Sequence, residues 1–171
     1  MANPISLGSF FVTGNKIHVS DPCYDYDSPD SATIGNALSG EYLAKLTLYN
    51  MTTWSTRVAR LSIYHANHKN IVPNICTECV ITVDSGQAGF FDDDYYKENQ
   101  GGDFGDISTL FGLACSLTLP KNCSGILLDK GVVSETGLGD GSYYLYTGKN
   151  KKGKIVSASI IFIADDELEE S

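Results

Sequence analysis

The sequence has no long hydrophobic run: no window reaches the roughly 18 apolar residues that a membrane-spanning helix needs. Residues 1–11 also lack the basic segment and the apolar stretch of a signal peptide. Basic residues are few, since 12 Lys and Arg stand against 21 Asp and Glu, which gives a net charge of -9. A chain with this charge repels phosphate backbones. We therefore expect no membrane and no nucleic acid among its partners.

The motifs of several enzyme classes are absent as well. The chain contains no G-x-S-x-G nucleophile elbow, no P-loop and no H-E-x-x-H zinc motif. Its five cysteines are an odd number and lack the spacing of a disulfide framework. Unpaired thiols are typical of a reducing compartment. We therefore expect a cytoplasmic protein without disulfides and without a cofactor, and a non-enzymatic role is favoured over an enzymatic one.

Short β-prone segments separated by turn-forming residues make up most of the chain. Hydrophobic residues account for 42% of the sequence and charged residues for 19%, which is typical of a folded domain. Residues 10–13 and 16–20 flank Gly14-Asn15, a pattern that predicts a two-residue β-hairpin. Alternation and turn signals predict further strands at residues 41–49, 57–65, 79–83, 125–128, 132–135, 142–147 and 155–163.

One segment, residues 107–115, has the apolar spacing of a helix. Residues 25–40 are rich in Asp, Ser, Gly and Pro and are predicted to be a long loop, and residues 92–106 are polar and glycine-rich and are predicted to be exposed. The whole pattern predicts a mostly β fold, either an antiparallel β-sandwich or a strongly curved sheet with one short helix. We expect a single domain over residues 1–164 and a disordered acidic tail over residues 165–171.

The segment from Asp84 to Asp92 is the strongest candidate for a site. It follows a β-prone run, and Asp84 and Gln87 offer a carboxylate acceptor and an amide. The same pattern is typical of a β-bulge or a tight turn, in which Asp84 accepts hydrogen bonds from the amides that follow it. Both interpretations stay open on the sequence alone.

This segment is expected to be structurally demanding whichever interpretation holds. Gly86 and Gly89 are positions where a positive φ or a close backbone approach is expected. At least one of Phe90 and Phe91 is expected to face inward, because exposing both rings to water is costly.

A second acidic motif, residues 137–143, places Asp140 among three glycines. Such a loop is suited to ion binding, but Asp-Gly between two strands is also an ordinary hairpin turn. Asp21, followed by a proline, stands at another strand end. Because Asp84 and Asp140 both end apolar strands at turns with glycine, we predict that they lie in one site and can share a ligand or Arg57.

A zinc site is a less favoured alternative. His65 and His68 precede Cys76 and Cys79, and two imidazoles with two thiolates can bind Zn²⁺ tetrahedrally. The hypothesis places the two pairs at facing ends of a hairpin. Residues three apart on a strand point to opposite faces, so both pairs would have to lie in turns.

The motifs at these positions resemble, in order, those of the family that carries the domain of unknown function numbered 4241. The matching segments are residues 14–24, 57–59, 83–92 and 139–143, and the resemblance extends over about residues 8–163. It implies a small soluble protein, mainly bacterial or from related mobile elements, of a family with no established activity. Six residues match the family's motif positions: Asp21, Arg57, Asp84, Gln87, Asp92 and Asp140. The match favours a meeting of the strand-end acids around one spot, which is either a ligand site or a hydrogen-bonded structural cluster.

Three functional hypotheses follow. The first is a non-catalytic binding or regulatory module for an unknown small ligand or protein, with a site formed by the strand-end Asp/Gly motifs. The second is a hydrolase or lyase in which Asp84 and Asp140 act as acid and base or as metal ligands. The third is a structural or assembly role. The binding module is preferred because catalytic motifs are missing, although a fold alone does not rank functions.

Overall fold

Eleven strands and two helices make up the computed structural model, which describes residues 4–50, 56–120 and 123–164. The predicted acidic tail at residues 165–171 lies outside the described residues. In chain order the elements are β1 (Ile5–Val12), β2 (Ile17–Ser20), β3 (Ala32–Ile34), β4 (Gly40–Asn50), β5 (Thr56–His65), β6 (Ile75–Val83), β7 (Gln87–Asp92), α1 (Asp93–Asn99), α2 (Leu110–Thr118), β8 (Ser124–Leu127), β9 (Gly131–Glu135), β10 (Gly141–Lys149) and β11 (Ile155–Ile161).

The strands form two antiparallel sheets that pack face to face. The first sheet has six strands in the order β1-β4-β5-β11-β10-β6, and the second has five in the order β3-β2-β7-β9-β8. The edges of the two sheets approach each other, because β1 contacts β8 and β3 contacts β6. At the second of these edges the amide of Thr82 donates to the carbonyl of Asp30 at 3.0 Å. The expected mostly β sandwich is confirmed.

Alternation along the strands builds two separate apolar layers. Between the sheets, side chains such as Ile17, Val19 and Phe90 form the main core. On the other face of the second sheet, Phe91 packs with Tyr96 of α1 and with residues of α2. Adjacent residues of β7 therefore serve opposite layers, and both phenylalanines are fully buried.

Both helices contact strands of the five-stranded sheet. Helix α1 begins where the Asp92 carboxylate accepts a hydrogen bond from the amide of Tyr95. Acidic residues in its first turn and Lys97 in its last complement the helix dipole. Helix α2 begins at Leu110, three residues later than expected, because Thr109 is its N-cap. Neither helix, and no other helix among the described residues, is long and apolar enough to cross a bilayer.

Three local expectations are wrong. Residues 25–40 are not one loop, because they contain β3 and because Ile34 and Ala37 are buried. The Gly14-Asn15 turn does not close a hairpin, because β1 pairs with β4 while β2 pairs with β3 and β7 in the other sheet. Residues 92–106 are not simply an exposed loop, because they contain α1 and because Asp92, Asp93 and Tyr96 are buried. The fold therefore has one helix more than expected, and the extra helix covers part of the second sheet.

Candidate functional site

Asp21, at the end of β2, is fully buried and its carboxylate accepts four hydrogen bonds. One oxygen accepts from the amide of Cys23 at 2.9 Å and from the hydroxyl of Ser85 at 2.6 Å. The other accepts from the amides of Asp84 and Ser85 at 2.9 and 2.6 Å. This carboxylate thus joins the end of β2 to the turn between β6 and β7. Asp21 is a buried hydrogen-bonded junction between these two segments, and its acceptor positions are occupied by the chain itself.

The side chains of two other predicted site residues, Gln87 and Asp92, also form hydrogen bonds within the fold. The amide of Gln87 donates to Ser85 at 3.2 Å, and its oxygen accepts from Thr118 of α2 at 2.9 Å. The carboxylate of Asp92 accepts from the amide and hydroxyl of Thr13 at 2.8 and 3.0 Å, and caps α1. Both side chains are buried. They connect elements of the fold and present no free group at the surface.

Asp84 and Asp140 differ from these residues because both are exposed. The structure brings them to the same corner, since Gly141 pairs with Val83 at the ends of neighbouring strands. A Cβ atom placed on Gly86 would lie 4.0 Å from the Asp140 carboxylate, so Asp140 faces the turn that follows Asp84. Among the described residues, neither carboxylate forms a hydrogen bond or an ion pair.

Leu138 and Ser142, which stand two residues on either side of Asp140 in the sequence, line a groove of about 240 Å³, whose lining does not include the carboxylates of Asp84 and Asp140. Its floor contains Tyr143 and Phe162, whose rings meet edge to face with centroids 5.2 Å apart. Its walls include Leu138 and Tyr144, which are 56% and 54% exposed. Tyr146, Ile161, Ser142 and Ala164 complete the lining. We call this feature the β10 groove; it lies where β10 begins and β11 ends.

Arg57 lies beside Glu135 of β9. Burial raises the pKa of Glu135, and the charge of Arg57 partly offsets that rise. Glu135 in turn pairs with Gln87 across β7 and β9. Arg57 therefore stabilises the charged form of Glu135, which was not among the predicted site residues.

The topology contradicts the hairpin on which the zinc hypothesis depended. Strands β5 and β6 are separated by β11 and β10, about 14 Å at the usual strand spacing, so the two residue pairs do not face each other. The ring nitrogens of His65 instead bond to the carbonyl of Ser39 and the amide of Asn67. Within the described ranges, no group of three or more metal-binding side chains comes together.

Sequence reasoning missed a cluster around His18 of β2. This histidine is fully buried, stacks on Tyr26, contacts the tilted ring of Tyr96, and lies 3.9 Å from Asp93. Alternation does place His18 on the face opposite Ile17 and Val19. The helix that covers this face lies within residues predicted to be an exposed loop, so no signal in the sequence indicated that His18 would be buried.

Comparisons with known proteins add no relative: no family model matches the chain, and neither a curated protein nor a solved structure matches it. The resemblance to the family numbered 4241 stays a prediction. The functional argument accordingly depends on the side chains of this chain.

Proposed function

We propose that this chain is a non-catalytic binding module whose β10 groove holds a basic segment of a partner protein, with one large apolar side chain of the partner inserted between Leu138 and Tyr144. The observation that carries the proposal is the position of two exposed carboxylates, which have no hydrogen bond or ion pair among the described residues, near a groove that exposes Leu138 and Tyr144.

The size and lining of the groove support a protein side chain as its occupant. Its volume of about 240 Å³ is smaller than that of most small-molecule sites, which measure roughly 300–1,000 Å³. Tyrosine is enriched at the centres of protein interfaces, and three tyrosines line this groove. A half-exposed leucine and tyrosine side by side lose unfavourable contact with water when a partner covers them.

Charge supports a basic partner. Asp84 and Asp140 stand at the corner next to Leu138 and Ser142 of the groove lining, and the whole chain carries a net charge of -9. Of the cationic residues in this part of the sheet, Lys149 stands at the opposite end of β10 and Arg57 lies beside Glu135. Complementary charge at the rim of an interface mainly raises the association rate and the specificity.

The backbone of the neighbouring edge strand supports contact through side chains. Strand β6 is the edge of the first sheet, but Glu78 has a φ of 64° and interrupts the pairing register with β10. The Thr82 amide already donates to Asp30. A bulged and partly capped edge is a poor template for an added strand.

A selection from a random peptide library displayed on phage tests the proposal. We expect the enriched peptides to combine an aromatic or large aliphatic residue with two or more lysines or arginines. Tyr144→Thr should lower the affinity for the selected peptides by about 5- to 30-fold, the usual effect of truncating an interface anchor. The double variant Asp84→Asn, Asp140→Asn should lower this affinity by about 2- to 5-fold and make it less dependent on salt concentration.

Matched controls come from exposed residues elsewhere on the chain. Phe104 is 70% exposed on the loop before α2, and Asp103 precedes it. Phe104→Ser and Asp103→Asn should leave peptide binding unchanged. Enrichment of acidic peptides, failure to enrich any sequence, or loss of binding in the controls alone would contradict the proposal.

The proposal includes a cytoplasmic location. The five cysteines are free thiols, and two of them, Cys76 and Cys79, are exposed. Exposed thiols persist in a reducing compartment.

A further inference from the structure

His18 presents an unusual combination: the residue is fully buried, and neither ring nitrogen has a hydrogen-bond partner among the described residues. Buried polar groups in folded proteins are nearly always paired, so an exception calls for an explanation. We propose that His18, Tyr26 and Asp93 form an acid-sensitive latch, which holds the loop of residues 22–31 and helix α1 against the five-stranded sheet and opens when the imidazole is protonated.

Two tyrosines enclose the imidazole. The ring of Tyr26, from the loop after β2, is stacked on it with centroids 4.9 Å apart, and the ring of Tyr96, from α1, lies 4.1 Å away. The loop and the helix therefore meet over one side chain of the sheet. If both moved away, His18 would become accessible to water.

Hydrogen bonds hold the loop after β2 and helix α1 in place over His18. The Tyr26 hydroxyl donates to the Asp93 carboxylate, with oxygen distances of 3.0 and 2.9 Å. The Tyr96 hydroxyl donates to the carbonyl of Tyr24 at 2.7 Å and to that of Asp21 at 3.2 Å. Loop and helix are thus bonded to each other as well as stacked on His18, so they should leave the sheet as one unit.

The groups that face the imidazole favour its neutral form in the closed state. Burial lowers the pKa of His18 to about 4. The Asp93 carboxylate lies 3.9 Å from one ring nitrogen and accepts from Tyr26, and neither ring nitrogen forms a hydrogen bond among the described residues. The neighbouring strands pair uncharged Thr33 and Phe91 with His18.

Solvent lies on the other side of the tyrosine. A pocket of about 220 Å³ is lined by Tyr26, Asp93 and Lys97, among others. The Lys97 ammonium lies 5.5 Å from the centre of the Tyr26 ring. Tyr26 therefore contacts both the imidazole of His18 and an existing pocket.

The sign of the pH effect follows from linkage. An exposed histidine has an ordinary pKa of about 6.5, so the open state binds a proton more readily than the closed state. Acid therefore favours opening. Between pH 7 and pH 5, where carboxylates remain largely ionised, the opening equilibrium should increase roughly 25-fold.

Hydrogen exchange of backbone amides, corrected for the intrinsic exchange rate at each pH, measures this equilibrium. The amides of Tyr24, Tyr26 and residues 97–99 should be less protected than those of β4 and β5, because they open locally. Their protection should fall roughly 25-fold from pH 7 to pH 5. Protection equal to that of β4 and β5, or protection independent of pH, would overturn the latch.

Two variants separate the latch from other acid effects. His18→Phe keeps a stacked ring that does not titrate, so the pH dependence at these amides should disappear; its persistence would overturn the proposal. His68→Gln, at a half-buried histidine outside this cluster, is the matched control and should behave like the wild type. Tyr26→Phe loses the bond to Asp93 and should lower protection at pH 7 about 5-fold even if His18→Phe does not fold. Unchanged protection in Tyr26→Phe would contradict the latch.

Discussion

Asp21→Ala is expected to lower the free energy of unfolding by about 3–5 kcal/mol. The substitution removes a fully buried carboxylate and leaves four donors without their acceptor: the amides of Cys23 and Asp84, and the amide and hydroxyl of Ser85. Each unsatisfied buried donor costs about 1–3 kcal/mol unless water reaches it. Urea unfolding followed by circular dichroism measures the change.

Asp84→Ala is the matched control because Asp84 is exposed and its carboxylate has no hydrogen bond among the described residues. Its effect should stay within about 0.5 kcal/mol. Asp21→Asn should fall between the two variants, because the amide nitrogen would face donors that need an acceptor. Equal losses in the free energy of unfolding for Asp21→Ala and Asp84→Ala would show that Asp21 is not the hydrogen-bonded junction described here.

Gly89→Ala should destabilise the protein by about 3 kcal/mol or more, by overpacking the sheet. A Cβ atom at this position would lie 2.4 Å from the carbonyl oxygen of Val132 on the neighbouring strand and 2.8 Å from the ring of Phe91. The carbonyl belongs to the paired backbone of β9, so relief of the clash requires the two strands to separate. Thermal unfolding of the purified variant measures the loss, and failure to accumulate as folded protein is the extreme form of the same result.

Gly86→Ala provides the comparison within the same segment. Gly86 has a φ of 72°, but the nearest atom to its added Cβ would be 4.0 Å away. Only the left-handed backbone opposes the substitution, at a cost of about 1–2 kcal/mol. A larger loss for Gly86→Ala than for Gly89→Ala would contradict the assignment of close packing to Gly89.

Strand positions could be predicted because their signals are local. Alternation placed the strands near residues 41–49 and 142–147 correctly, and the expectations for Gly86 and Gly89 are confirmed as a positive φ and a close approach. Pairing could not be predicted in the same way. The turn at Gly14-Asn15 has the composition of a hairpin, but the partners of β1 and β2 are set by apolar faces distant in sequence.

The second helix was missed for a related reason. Residues 93–99 contain one fully buried residue, Tyr96, so they show little apolar periodicity. Tertiary packing on Phe91 and His18 stabilises this short helix. Because this helix was not predicted, the burial of His18 on β2 could not be predicted either.

The candidate site was predicted in part. Asp21, Asp84 and Asp140 do lie at the ends of β2, β6 and β10, whereas Asp92 lies at the opposite end of β2, where it pairs with Ile17. Composition alone did not distinguish a buried acceptor such as Asp21 from an exposed acid such as Asp84. That distinction depends on donors from three segments that meet only in the folded chain. The β10 groove was missed because Leu138 and Tyr144 are brought together by the turn before β10.

An NMR titration of the ¹⁵N-labelled protein tests peptide binding at the β10 groove most directly. The probe is a capped pentapeptide with one tryptophan between two pairs of lysines, and its control has glutamates in place of the lysines. We expect the lysine peptide to shift the amides of Ser142, Tyr144 and Tyr146, less so in 0.5 M salt, and the glutamate peptide to leave them in place. Shifts centred on the acidic loop around Asp103, or no shifts with millimolar peptide, would contradict the proposed binding site.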